Sequence, residues 1–159
     1  MNLVKHHIGG TATATAERTG QVFNPATGAV QRQVAFASGA EAEQAIQTAK
    51  AALAGWRETG LIKRADVFFK LRHLLVERQH ELAAIITNEH GKVLSDALGE
   101  ISRGIENIEF AAGLVHHLKG EHSEQVSRGV DVHSTRQPVG VVACITPFNI
   151  PVMVPLWMV

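Results

Sequence analysis

The chain has 159 residues, balances 15 basic against 15 acidic side chains, and is 45% hydrophobic with a single Cys. That length suits one domain or a piece of a larger one. Balanced charge and 5% aromatic content, without Tyr, exclude the basic footprint and stacking surfaces of nucleic-acid binders. The lone Cys excludes a disulfide framework and a Cys-rich zinc site, and fits a reducing compartment.

Residues 1–36 read as short strands. Thr11 to Ala16 alternates with period two, and Val30, Val34 and Phe36 share a face. Between them Asn24-Pro25-Ala26-Thr27-Gly28 is a turn, so a hairpin is expected. Ser38 then opens a helix with Glu41 completing a capping box, and Ala42, Ala45, Ile46, Ala49, Ala52, Leu53 and Trp56 form its apolar stripe up to Gly60. A second helix is expected from about Lys63 to His90, with Gly91 as its C-terminal cap. A third is expected from about Leu94 to Leu118. Gly99, Gly104 and Gly113 fall inside it, which suggests close packing against another backbone.

After Gly120 the period changes to two. Val126, Val130 and Val132 alternate with polar residues, giving strands with one wet face. Val139 to Ile145 is instead a continuous apolar run, the pattern of a strand covered on both faces as in a parallel sheet. Cys144 lies within that run and is expected to be a buried structural thiol, not a nucleophile.

From Val139 to Val159 no residue is charged. A membrane span is a poor reading, because Pro147, Pro151, Pro155 and Asn149 interrupt the run and no basic cluster flanks it. Met1 to Gly10 lacks the apolar region of a targeting signal, so the cytoplasm is the expected location. The uncharged ending fits a longer protein cut short.

Chemistry is expected where the apolar strand ends, at Thr146-Pro147-Phe148-Asn149-Ile150-Pro151. Ligands of open α/β sheets bind outside the carboxyl ends of the strands. There the Asn149 carboxamide could stabilise an oxyanion forming at a carbonyl under attack, or could merely bond the turn backbone. The nine His suggest no metal: His116 and His117 diverge on a helix, His6 and His7 face opposite sides of a strand, and no zinc spacing occurs. No G-x-G-x-x-G fingerprint is present. Lys92 reads as a solvated residue at a helix end.

Several motifs together resemble the N-terminal part of the aldehyde dehydrogenase superfamily, most closely its CoA-acylating methylmalonate-semialdehyde members. General features are Phe23-Asn24-Pro25-Ala26-Thr27-Gly28, Gly91-Lys92, and Arg136-Gln137-Pro138-Val139-Gly140-Val141 leading to Pro147-Phe148-Asn149. More specific are Glu89-His90-Gly91-Lys92, Arg103-Gly104 with Glu109-Phe110-Ala111, Gly120-Glu121 with Ser123-Glu124-Gln125-Val126, and Pro155-Leu156-Trp157-Met158. Ile150 and Val152 depart from the usual pattern, where Phe and a small residue are common.

The resemblance implies an α/β fold: helices, the start of a Rossmann-like parallel sheet, and an oligomerisation hairpin. It implies that residues 1–120 belong to the coenzyme-binding domain, 121–137 form the hairpin, and 138–159 form the first strand and turn of the NAD-binding sheet. It also implies that Asn149 stabilises the oxyanion when a cysteine thiolate attacks an aldehyde, with Thr146, Pro147 and Phe148 beside the NAD. CoA would then release the thioester. A semialdehyde substrate, valine or inositol catabolism, and a homodimer or homotetramer follow for the parent enzyme. Arg103 could grip the substrate carboxylate bidentately; the alternatives are a solvated face or an ion pair with Glu100 or Glu106. The nucleophilic Cys and general-base Glu would lie downstream, so this chain alone is expected to be inactive. A purely structural module and a non-acylating dehydrogenase are the competing readings.

Overall fold

The computed structural model describes residues 3–15 and 17–159. Met1 and Asn2, in the stretch read for a targeting signal, and Ala16, the last residue of the alternating run, lie outside them.

The chain begins with β1 (Leu3–Val4), β2 (His6–Ile8) and β3 (Thr11–Thr13). Gly9 and Gly10, at φ 58° and 80°, turn β2 into β3 as the two positive-φ residues of a tight hairpin must. The turn expected at Asn24–Gly28 forms, but the strand it joins to β5 (Val30–Ala35) is β4 (Thr19–Phe23) and not the run beginning at Thr11, which pairs with β2 instead; β1 pairs in parallel on the far side of β5. Asn24 holds this turn from within. Its carboxamide oxygen accepts from the Ala26 amide, and its backbone carbonyl accepts from Gly28.

Helix α1 (Gly39–Glu58) starts at the predicted capping box, in which Ser38 Oγ accepts from the Glu41 amide and Glu41 accepts from the Ser38 amide. The Glu41 carboxylate also accepts from the Thr15 amide at 2.7 Å, so one side chain ties the end of the first hairpin to the helix start. The stripe expected to bury α1 does not do so. Ala45 and Leu53 are half-buried, while Ala42, Ile46, Ala49, Ala52 and Trp56 are exposed. The apolar pattern is there, but the described residues supply no layer to cover it.

The long helix expected over 63–90 is two helices, α2 (Leu61–Glu77) and α3 (Gln79–His90), broken at Arg78 (φ −105°, ψ 14°). The break lets both pieces pack on the following helix. The expected third helix also divides, into α4 (Leu94–Ala112) and α5 (Leu114–His117), with Gly113 between them. Helix α4 is the axis of the molecule. Ala97, Glu100, Ile101, Gly104, Ile105, Ile108 and Ala112 are all buried, spaced by the three and four residues of one helix face. Leu75 of α2 and Ala83 and Ile86 of α3 complete the core.

The period-two region forms the expected hairpin, β6 (His122–Ser127) and β7 (Val130–His133), exposed along its whole length. The strand expected at Val139–Ile145 does not form. The segment has no regular secondary structure, Val139 and Ile145 are 96% and 93% exposed, and Cys144 is exposed rather than buried. A doubly covered strand needs neighbours on both sides; among the described residues none pairs with it.

Beyond it an unanticipated helix, α6 (Met153–Met158), buries Met153 and Val154 against α4. Pro155 is tolerated because it falls in the first turn, where an N–H would be unpaired anyway. At Gly104 the close neighbour is a side chain and not the backbone the helix glycines were expected to meet: an added Cβ would lie 2.7 Å from Leu156 Cδ1, while Met153 Cα stays at an ordinary 3.5 Å. The expectation also fails at Gly99, which has open space.

The bonds to Glu41 lower its pKa from 4.5 to about 2, the Ser38 and Thr15 amides being the largest causes. A depressed carboxylate stabilises the fold above its unfolded pKa and loses that contribution as pH falls through the folded one. The advantage of the parent chain over Glu41→Gln in urea midpoint is therefore expected in full above pH 4.5, shrinking as pH falls toward about 2. An advantage that stays constant across that range refutes the assignment.

Candidate active site

The residues expected to carry chemistry fall on the turn between the unpaired segment and α6. Thr146, Pro147, Phe148 and Asn149 are contiguous and exposed, Phe148 at 87%. Among the described residues neither the Thr146 hydroxyl nor the Asn149 carboxamide makes a hydrogen bond. The alternative in which Asn149 spends its side chain on the turn backbone is therefore not what forms. Phe148 also lines a cavity of about 600 Å³ with Val22, Ile86, His90, Pro151 and Val152. A larger cavity, of about 860 Å³, lies between Gly55, Lys63 and Val115, among residues that include none of these.

The backbone of the Asn149 turn, by contrast, is tightly held. The Asn149 carbonyl accepts from Lys92 Nζ at 3.0 Å. Lys92 also donates to Glu100 Oε2 at 2.8 Å and meets Asp96 Oδ2 at 3.3 Å, so its ammonium has three oxygen partners. The other Glu100 oxygen accepts from the Val152 amide at 2.7 Å and the Met153 amide at 3.2 Å. Lys92 is thus not the solvated residue expected: its side chain is 11% exposed, and that of Glu100 is 0% exposed.

Local structure explains the placement. Gly91 caps α3 at φ 87°, a conformation costly for a residue with a Cβ, which would also meet Pro25 Cγ at 2.8 Å. The reversal turns Lys92 toward α4, where Asp96 and Glu100 follow at successive intervals of four residues and reach the same ammonium. The β4–β5 hairpin braces this corner. Asn88 bonds Asn24 and Gln31, and Arg32 meets Glu89 at 3.2 Å.

Burial alone would raise the Glu100 pKa, and it is the largest single influence; the Lys92 ammonium and the Val152 and Met153 amides together outweigh it and leave the value lowered. Lys92 is raised, chiefly by its hydrogen bond to Glu100. The sequence held one usable sign of this. Glu100 sits in the same helical stripe as Ala97, Ile101 and Gly104, where a carboxylate is out of place unless it has partners.

Arg103 is exposed on α4 and forms no salt bridge among the described residues. The ion pair with Glu100 weighed above does not form, because Glu100 is committed to Lys92.

The aldehyde dehydrogenase family pattern matches residues 12–159, nearly the whole chain. The chain belongs to the aldehyde dehydrogenase family. It is 46% identical over 158 residues to a malonate-semialdehyde dehydrogenase of Pseudomonas aeruginosa, covering 99% of this chain and 32% of that protein. The solved structure of a methylmalonate-semialdehyde dehydrogenase from Oceanimonas doudoroffii superposes with a TM-score of 0.96 at 49% identity, again over 99% and 32%. A Sinorhizobium meliloti protein provisionally described as a methylmalonate-semialdehyde dehydrogenase, solved with NAD, gives a TM-score of 0.95 at 46% identity, with the same coverage. The chain spans about a third of the length of these relatives. Its fold is accordingly the corresponding part of the aldehyde dehydrogenase fold. Among the described residues no helix is long and apolar enough to cross a membrane.

Removing Lys92 alone strands an uncompensated buried charge on Glu100. Lys92→Met is expected to cost about 3 kcal/mol in urea unfolding at neutral pH. The deficit should narrow as pH falls and Glu100 takes up a proton. The double variant Lys92→Met/Glu100→Gln has no charge to strand and should lie within about 1 kcal/mol of the parent. Equal losses in the single and double variants would mean that the pair's charge is not what matters.

Proposed function

We propose that this chain carries the oxyanion-stabilising part of an NAD-dependent dehydrogenase that oxidises a carboxylate-bearing semialdehyde, malonate or methylmalonate semialdehyde, and releases the acyl group to CoA. The observation that carries the reading is the division of labour at Asn149. Its backbone is pinned by Lys92, while its carboxamide is exposed and unbonded, available to a ligand. A donor held in that way suits the negative charge that gathers on an aldehyde oxygen when a thiolate adds to the carbonyl carbon. The names of the relatives supply the substrate class.

The nicotinamide cofactor fits the same turn. Thr146 offers a free hydroxyl and Phe148 an uncovered apolar ring, contiguous with Asn149, so these residues with Pro147 can form one wall of a dinucleotide site. NAD, when bound, would supply the hydride acceptor. The residues of this chain would do three things: stabilise the oxyanion (Asn149), wall the cofactor (Thr146, Pro147, Phe148), and bind the substrate carboxylate (Arg103). The nucleophile is assigned elsewhere, because Cys144 is exposed on the irregular segment and no base or cation is bonded to it among the described residues. The β6–β7 hairpin, with Val126, Val130 and Val132 exposed, is assigned to subunit association in a dimer or tetramer.

The test is a chimera in which this chain replaces the matching third of the Pseudomonas aeruginosa malonate-semialdehyde dehydrogenase. The chimera should form NADH from malonate semialdehyde and CoA, while the 159-residue chain alone forms none. In the chimera Asn149→Ala should lower kcat by about 10²–10³-fold. A near-parental kcat for Asn149→Ala sinks the oxyanion assignment, and NADH formation by the chain alone sinks the assignment of the nucleophile elsewhere. Arg103→Ala should raise KM for malonate semialdehyde by about tenfold, the worth of one charge-assisted contact. KM for an uncharged aldehyde should not move. Equal changes for both aldehydes remove Arg103 from the substrate site.

A further inference from the structure

We propose that Lys92 and Glu100 are positioning residues: the buried ion pair aims Asn149 at the reacting carbonyl by holding the turn 149–153 from both ends. The proposal deepens the oxyanion reading and rests on it. At one end the Lys92 ammonium donates to the Asn149 carbonyl at 3.0 Å; at the other, Glu100 Oε1 takes the Val152 and Met153 amides at 2.7 and 3.2 Å. The two holds are joined by the 2.8 Å Lys92–Glu100 contact, so they move as one unit.

Fixing a carbonyl and two amides on either side of so short a turn leaves the Asn149 side chain little freedom beyond its own χ angles. An oxyanion donor needs that. Its contribution depends on being in place before charge develops, and a displacement of about 1 Å can cost on the order of 10²-fold in rate. Core stability alone does not call for this arrangement, since apolar residues of similar volume often serve a buried interface as well as an ion pair does. Apolar residues cannot, however, hold a carbonyl and amides in fixed directions. The anchor is rigid for a separate reason. Glu100 projects from the buried face of α4 one turn before Gly104, whose missing Cβ leaves room for the Leu156 side chain of α6.

The experiment uses the chimera described above and the double variant Lys92→Met/Glu100→Gln, which strands no charge. Its kcat should fall by about 10- to 100-fold with KM for NAD within about twofold. In an Asn149→Ala background the same double variant should lower kcat by no more than about twofold further, because both changes act through one side chain. Losses that multiply in that background, or a parental kcat, overturn the proposal. Amide hydrogen exchange supplies an independent reading. Val152 and Met153 should exchange at least about tenfold faster in the double variant, while Ile101, Ile105 and Ile108 keep parental protection. Unchanged exchange at Val152 and Met153 overturns the clamp.

Should the double variant fold poorly, Lys92→Arg keeps the charge but presents a planar fork in place of one ammonium shared by three oxygens. It should retain the protection of Ile101, Ile105 and Ile108 and still lose at least about fivefold in kcat; full kcat with Arg overturns the positioning role. A parental kcat for Asn149→Ala would instead remove the oxyanion reading, leaving the exchange data to judge the clamp separately.

Discussion

Glu100 imposes the constraint on which the rest of the molecule depends. An ionised carboxylate in the middle of the most buried helix costs several kcal/mol unless its charge and lone pairs are met. Two segments meet them: the corner at Gly91-Lys92 and the turn leading into α6. Each has a local reason to be where it is. Gly91 adopts a conformation that turns the chain back, and the β4–β5 hairpin braces the corner through Asn88 and Glu89. Gly104 makes room for Leu156 of the last helix. The turn 149–153 is thus coupled to the core by a charge that cannot be buried without it.

What could be read from the sequence was chemistry confined to a few neighbouring residues. The Ser38–Glu41 box, the Asn24–Gly28 turn and the Gly91 cap each satisfy backbone groups locally, so residue type and spacing were enough. The start of α4 was readable for a similar reason, since Gly91 ends the preceding helix just before Leu94. The break at Arg78 was not, since no Gly or Pro marks it. It arises because α2 and α3 must each find α4, a tertiary demand that overrides local helical preference. Lys92 and Glu100 were hidden in the same way: both are surface residues by type, and only the fold shows that they meet. Asn149 is singled out by its place at the end of an apolar run and by family resemblance, while the Lys92 and Glu100 bonds around it have no local sequence signature.

The apolar patterns that failed to bury share one cause. The outer face of α1 and the run Val139–Ile145 have the periodicity of covered elements, yet Trp56, Ile46, Val142 and Ile145 are exposed. Periodicity reports what a residue would gain from cover, not whether a covering layer lies within the same stretch of chain. The relatives that the chain matches are about three times longer, and the described residues of the matched third do not themselves contain layers over these faces. Contiguous uncovered apolar surface of this kind also favours self-association.

The sequence separation across the Glu100 contacts has a kinetic meaning. Helices α2, α3 and α4 follow one another directly and can associate through near neighbours. The bonds from Val152 and Met153 to Glu100 close loops of 52 and 53 residues. That closure gains nothing until α4 already presents a formed face, so it belongs late in folding. The turn 149–153 therefore takes its final geometry only after the helices that carry it have packed.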